Sequence, residues 1–334
     1  MTEIKKIAFL RALQLGDFLC TVPAIRTLRK AYPKAIISWI GLPHMAHLAK
    51  RFAHYIDEFI PFPGYPGLPE QPIVPEAILH FIQEMQRRRF DLALQLQGNG
   101  THVNDLLSLF KANKMAGFYS NQSYKPPDGG FMLYPEHLHE IDRHLALMKH
   151  LKLPIQETAL EFPIAMTGRP LLDELGLEPQ TYICFHAGSR GKWRQWPPRH
   201  FAYLADHCMK LGYRAVFTGT RDEQELVANV ASYMHNKPII VAGKTSLDEL
   251  AILLKQAKGL VSNCTGVAHL AYALEIPTVT ISMDGEPYRW GPPKNNRHVL
   301  IDWLKTPIYE KVEASCDLVF NLGFCSNLRT AIIT

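Results

Sequence analysis

The chain has 334 residues, 47% hydrophobic and 20% charged, the balance of an ordinary globular protein with apolar material for two domains. A formal charge of +5 weakly favours anionic ligands or an anionic membrane surface and gives no pointer to nucleic acid. Six cysteines without a CxxC pair read as free thiols of a reducing compartment; with no signal-peptide core and no apolar run of ~18 residues, cytoplasmic residence is the expectation.

In chain order, residues 7–10 predict a short strand and 11–16 a loop. Phe18, Leu19, Val22, Ile25 and Leu28 then mark one face of a helix, with Pro23 tolerated in its first turns. Residues 36–40 predict a second strand, completing a parallel βαβ unit. The stretch 61–75, with its six prolines and two glycines, predicts a mobile surface loop. A helix over 77–88, a strand over 92–96 and a helix over 137–151 follow. The interdomain linker falls in 161–179. The pattern then restarts: strands over 182–186, 215–218, 239–241, 259–262 and 278–282 alternate with helices over 198–211, 222–233, 246–256 and 267–274. Such alternation implies an α/β protein whose parallel sheets are covered by helices. Two Rossmann-like domains separated by a cleft are expected at 1–165 and 175–315, with segment 316–334 packing back on the first.

Three strand-to-helix junctions in the second half carry chemistry. Asn263-Cys264-Thr265-Gly266-Val267-Ala268-His269 places small and hydroxyl residues where backbone N–H groups and a helix N-terminus can hold an anion. Thr265 and His269 are in reach of a phosphate there; the alternative is a plain helix start capped by Thr265 or Asn263. In His186 to Pro197, Gly188 and Ser189 can line an anion site. Arg190, Lys192 and Arg194 add the positive charge that a diphosphate leaving group requires; otherwise this is a solvated basic loop. In Thr218-Gly219-Thr220-Arg221-Asp222-Glu223, either acid could accept from ribose hydroxyls or simply cap a helix. All three junctions fall at the carboxyl edge of one sheet, where α/β sheets bind ligands. Gly16-Asp17 occupies the equivalent junction in the first half, where Asp17 can act as general base or cap its helix. His44, His47, His137, His139 and His144 complete no ligand set and read as surface positions rather than metal ligands. Neither GxGxxG nor GxxxxGK[ST] occurs, which argues against a standard dinucleotide dehydrogenase or P-loop NTPase.

Taken in order, Gly16-Asp17, Pro23 to Pro33, Phe90 to Gly98, Arg194-Gln195-Trp196-Pro197, Thr245 to Leu250 and Thr265 to Ala271 resemble the heptosyltransferase family, glycosyltransferase family 9, from about residue 7 to about residue 300. The resemblance implies a GT-B fold of two facing Rossmann-like domains. It also implies inverting, metal-independent and cofactor-free transfer from a nucleotide sugar, typically ADP-heptose, to lipopolysaccharide core or another glycan acceptor. Asp17 matches the proposed base, and Gly16, Gln97 and Asn99 the acceptor side. Gly188, Ser189, Lys192, Arg194, Gly219, Glu223, Cys264, Thr265, Gly266 and His269 match the donor side, with Glu223 on the ribose. The implied partners are the nucleotide sugar, a lipid-linked or glycan acceptor and the cytoplasmic face of the inner membrane at its periphery, with no nucleic acid. One departure stands out: the family usually has Asp before Thr-Gly, where this chain has Cys264. A different donor sugar, or a catalytically silent nucleotide-sugar-binding protein, therefore stays open, as does a nucleophilic thiol at the helix N-terminus.

Overall fold

The apolar run Ile7 to Leu10 is fully buried, as expected of a parallel strand covered on both faces. In a computed structural model describing residues 3–122, 124–127, 129–164, 170–284 and 286–322, this run is the centre of a six-stranded sheet. The chain divides into two units, Met1–Pro163 and Ile164–Thr334. The first unit runs β1 (Lys6–Leu10), α1 (Leu15–Leu19), α2 (Val22–Ala31), β2 (Ile36–Gly41), α3 (Ala46–Arg51), β3 (Glu58–Pro61), α4 (Pro75–Arg88), β4 (Leu92–Gln95), α5 (Val103–Ser108), β5 (Lys114–Tyr119), β6 (Gly130–Leu133) and α6 (Glu140–His150). Its strands are parallel in the order β3-β2-β1-β4-β5-β6.

The second unit runs α7 (Pro170–Glu174), β7 (Tyr182–His186), α8 (Pro198–Lys210), β8 (Arg214–Thr218), α9 (Gln224–Ser232), β9 (Ile239–Ile240), α10 (Leu247–Gln256), β10 (Gly259–Asn263), α11 (Gly266–Ala273), β11 (Thr278–Ser282), α12 (Pro287–Trp290), β12 (His298–Asp302) and α13 (Tyr309–Phe320). Its parallel sheet has the order β12-β11-β10-β7-β8-β9. Counted from its own first strand, each unit has the doubly wound 3-2-1-4-5-6 order of a Rossmann sheet. The order reverses between β1 and β4 in one unit and between β7 and β10 in the other. The loops leaving those strands are the natural ligand sites.

Two expected helices are corrected. The single helix expected from Asp17 to Leu28 is two, because Pro23 cannot donate to the Leu19 carbonyl; α2 restarts with Pro23 in its first turn. The helix expected over 137–151 starts at Glu140, with the His139 ring accepting the Ile141 N–H at 3.2 Å as its cap. The proline-rich stretch is anchored by fully buried Phe62, which packs edge-on against Phe81. Residues 316–322 fall within the second unit. Cys316, Phe320 and Leu322 belong to the second unit's core, and the Phe320 ring fills the space beside Gly259 where a side chain would otherwise project. Residues 323–334 of that expected segment lie outside the described residues.

Two buried histidines make the fold acid-sensitive. Burial, aided by the charge of Arg11, pushes His144 down to about 4, and burial with Arg297 does the same to His298. Each stays neutral in the folded chain and charges in the unfolded one, so stability is full above pH 6.5 and is lost as pH falls from there towards 4. His144 alone should cost about 2 kcal/mol between pH 7 and pH 5. Urea midpoints at the two pH values would show this, and an unchanged midpoint would refute it.

Candidate active site

Four neighbouring strands of the second unit end in loops that converge. After β7, Gly188 and Ser189 are buried while Arg190 and Lys192 are exposed. After β8, Glu223 turns back onto its own helix start and accepts the Thr220 N–H at 2.8 Å. A Cβ on Gly188 would stand 1.9 Å from Glu223 Oε1, so residue 188 must be glycine for the carboxylate to lie against the loop. His186, which donates to or accepts from Thr218 Oγ at 3.0 Å, sits 3.9 Å from that carboxylate. Burial depresses its pKa, with Glu223 opposing. Asp222 is the exposed acid of the pair.

After β10, Thr265 holds the N-cap position of α11, yet its side chain makes no capping hydrogen bond. Asn263 does not cap either. Fully buried, it accepts the Trp196 N–H at 2.9 Å and donates to the carbonyls of Ala187 at 2.7 Å and Gly188 at 3.3 Å. It thereby ties the β7 loop to the β10 turn and brings Gly188, Ser189, Thr265 and Gly266 to one place. His269, one turn into α11, is buried between the Tyr272 and Trp290 rings.

In the first unit, Gly16 is buried within α1. Asp17 is the third residue of that helix, not its cap, and its carboxylate accepts the Gln14 N–H at 3.3 Å with about a quarter of the side chain exposed. Gln97, leaving β4, accepts the Ala12 N–H at 2.7 Å, and its buried Nε2 has no hydrogen-bond partner. It therefore stitches the β1 loop to the β4 loop beside the switch point. Asn99 stands apart: it accepts from the Thr101 N–H and hydroxyl at 3.1 and 2.7 Å. It lines a cavity of about 730 Å³ with Thr101, Ser120, Asn121, Glu136 and His137.

The family model described as Glycosyltransferase family 9 (heptosyltransferase) matches residues 78–318. The chain belongs to glycosyltransferase family 9. It is 21% identical over 307 residues to the lipopolysaccharide core heptosyltransferase OpsX of Haemophilus influenzae, covering 89% of this chain and 84% of the relative. Its backbone matches that of a family 9 glycosyl transferase from Veillonella parvula with a TM-score of 0.77 at 21% identity, covering 96% and 99% of the two chains. It also matches Escherichia coli ADP-heptose lps heptosyltransferase II with a TM-score of 0.74 at 22% identity, covering 95% and 99%. The fold is thus the GT-B type built on two Rossmann-like units, and the chain is a glycosyltransferase.

Within this family 9 glycosyltransferase, one residue that sequence reasoning missed is Asp284, just beyond β11. It forms an ion pair with Arg194 and accepts the Ser282 hydroxyl at 2.9 Å. Burial raises its carboxyl, but the Ser282 bond and the Arg194 charge outweigh that and hold it below the usual carboxylate range. An acid following an apolar strand at a fourth junction was the available signal. Arg194 is consequently fixed across the loop, with its Nε buried and without a hydrogen-bond partner. Cys264 gives its thiol to the Trp290 carbonyl at 3.6 Å. Burial, reinforced by Asp284, pushes that thiol up to about 12, so a nucleophilic role is set aside. Cys264 should resist iodoacetamide at pH 8 until the chain unfolds. Peptide mass mapping checks this, and rapid labelling of the folded protein would contradict it.

Proposed function

We propose that the chain transfers a heptose from ADP-heptose to lipopolysaccharide core, with inversion and without a metal or cofactor. The observation that carries the reading is the convergence of Gly188, Ser189, Glu223, Arg194 and the Thr265–Gly266 turn at the switch point of the second sheet. Glu223 would accept from the ribose hydroxyls. Arg194, the Ser189 and Thr265 hydroxyls and the N-terminus of α11 would hold the diphosphate. The acceptor half falls to the first unit. Asp17 takes the proton from the acceptor hydroxyl as its oxygen bonds to the anomeric carbon on the face opposite the nucleotide. The bond from that carbon to the β-phosphate oxygen breaks, its electrons leave with ADP, and the donor-side cations and hydroxyls stabilise the charge that develops. Names of relatives that specify lipopolysaccharide core and ADP-heptose support the choice of substrates. A lipid-linked acceptor would be met at the cytoplasmic face of the inner membrane; among the described residues no helix is long and apolar enough to cross it.

The test is ADP release from ADP-heptose with delipidated core acceptor, in EDTA, beside GDP- and UDP-sugars. Release with ADP-heptose alone supports the proposal; loss of activity in EDTA would remove its metal-free step. The Cys264 thiol favours a second reading, a related transferase with another donor sugar, because a buried thiol replaces carboxylate bonds poorly. Preference for a different nucleotide sugar in the same panel would establish it. Gly188→Ala should displace the Glu223 carboxylate and weaken ADP binding roughly tenfold, about the worth of one charge-assisted hydrogen bond. Calorimetry on the folded variant measures this, and unchanged affinity would separate Glu223 from the nucleotide.

A further inference from the structure

Arg11 follows β1 and is 1% exposed. Its Nε and Nη2 donate to the main-chain oxygen of Asp17 at 3.2 and 3.1 Å, and its Nη1 to the Leu96 carbonyl at 2.6 Å. Nη2 also donates to Glu140 Oε1 at 2.9 Å and stands 3.6 Å from Asp17 Oδ1. One guanidinium thus joins the ends of β1 and β4 to α1 and α6, around the residue read as the base.

The charges beneath Asp17 do not balance without it. Glu140, 2% exposed, pairs with Arg11 and with Arg143, and lies 3.5 Å from His144 Nε2. Arg143 is itself buried, donating to the carbonyls of Pro135, Glu136 and Leu138 and lying 4.4 Å from the Tyr134 ring centre. His144 is neutral above pH 5. Among the described residues, the buried pairs join two guanidiniums, Arg11 and Arg143, to one carboxylate, Glu140. A buried excess charge is expensive unless something offsets it, and the Asp17 carboxylate is the partly exposed anion at hand.

We propose that Arg11, braced by Glu140, is the positioning residue that keeps Asp17 ionised and directs its carboxylate. The proposal rests on reading Asp17 as the base. Arg11 touches no substrate in this scheme and acts through Asp17 alone. The arrangement makes opposite demands on two variants. Arg11→Met removes a cation from beside Asp17, so the carboxyl should protonate more readily. Glu140→Gln removes the anion that partly neutralises Arg11, so the Asp17 carboxyl should protonate less readily. A merely structural role would move neither titration in a charge-dependent direction.

The experiment follows the Asp17 carboxyl by carbon-13 NMR in the full chain, assigned with Asp17→Asn, beside the pH dependence of kcat. Arg11→Met should raise the Asp17 titration by about one unit, carry the acidic limb of kcat with it, and lower kcat more than KM for the nucleotide sugar. Arg11→Lys should restore most of both, and Glu140→Gln should shift the titration down. An unmoved titration in folded Arg11→Met, or shifts of the same sign in both variants, overturns the proposal. Where Arg11→Met does not fold, Glu140→Gln decides: a downward shift supports the pairing, and no shift or an upward one overturns it. Transfer that survives in Asp17→Asn would instead reject Asp17 as base, an outcome distinct from these because the NMR titration needs no turnover.

Discussion

Asp17→Asn should lower kcat by roughly 10²–10⁴-fold, the usual contribution of a general base, and leave ADP affinity unchanged. The asparagine keeps the shape of the carboxylate and can still accept the Gln14 N–H that closes the first turn of α1. It cannot take the acceptor proton. Under the proposed reading the groups that hold the donor all lie in the second unit, so the nucleotide should still bind. Single-turnover rates and calorimetry on the same preparation separate the two effects. A variant that retains more than a tenth of wild-type transfer would force the base to be sought elsewhere. Loss of ADP binding would show that the substitution damaged more than proton transfer.

Asn263→Ala is the second large effect expected. The side chain is fully buried, and its removal strands the Trp196 N–H and the Ala187 carbonyl in the interior. At about 1–3 kcal/mol for each buried group left unpaired, the second unit should lose about 3 kcal/mol, a fall in melting temperature of roughly 6–12 °C. Because the same bonds hold the β7 loop against the β10 turn, ADP binding should weaken together with stability. Asn263→Asp makes an informative contrast. It keeps an acceptor for the Trp196 N–H but sets a carboxylate oxygen against the Ala187 carbonyl, so it should be no better. Thermal unfolding and ADP titration of both variants test the link, and full ADP affinity in a destabilised Asn263→Ala would break it.

The alternation of strands and helices was legible because buried parallel strands are nearly continuous apolar runs and their helices are amphipathic. The runs at β1, β7 and β10 illustrate this. Shorter pieces were not. β3 and β6 have only four residues each and lie at sheet edges, where partial exposure weakens the apolar pattern. β12 is mostly half-buried, and α13 follows it without a clear apolar period. Among the candidate site residues, the junction positions were legible from local sequence: Gly188, Glu223, Thr265 and Asp17 all lie where strand gives way to helix. What was missed depends on partners far along the chain. Asn263 read as part of the anion-binding turn, or as a cap, because its bonds to residues 187, 188 and 196 arise only when β10 pairs with β7. Asp284 carries no meaning until β11 sets it opposite Arg194, 90 positions earlier. Arg11 and Glu140 are 129 positions apart. Lys192, which local sequence placed with the phosphate ligands, is solvent-exposed on the loop after β7.

The division of the chain after Pro163 bears on how such enzymes diversify. Under the proposed reading, everything that receives the acceptor is encoded before that point and everything that holds the donor after it. Each set is contiguous in the gene, so one recombination event near codon 163 would pair an inherited donor preference with a new acceptor preference. Substitutions that retune one substrate can likewise accumulate in one half without passing through the other. Glycan structures could then be extended by reassorting halves as well as by remodelling a single pocket.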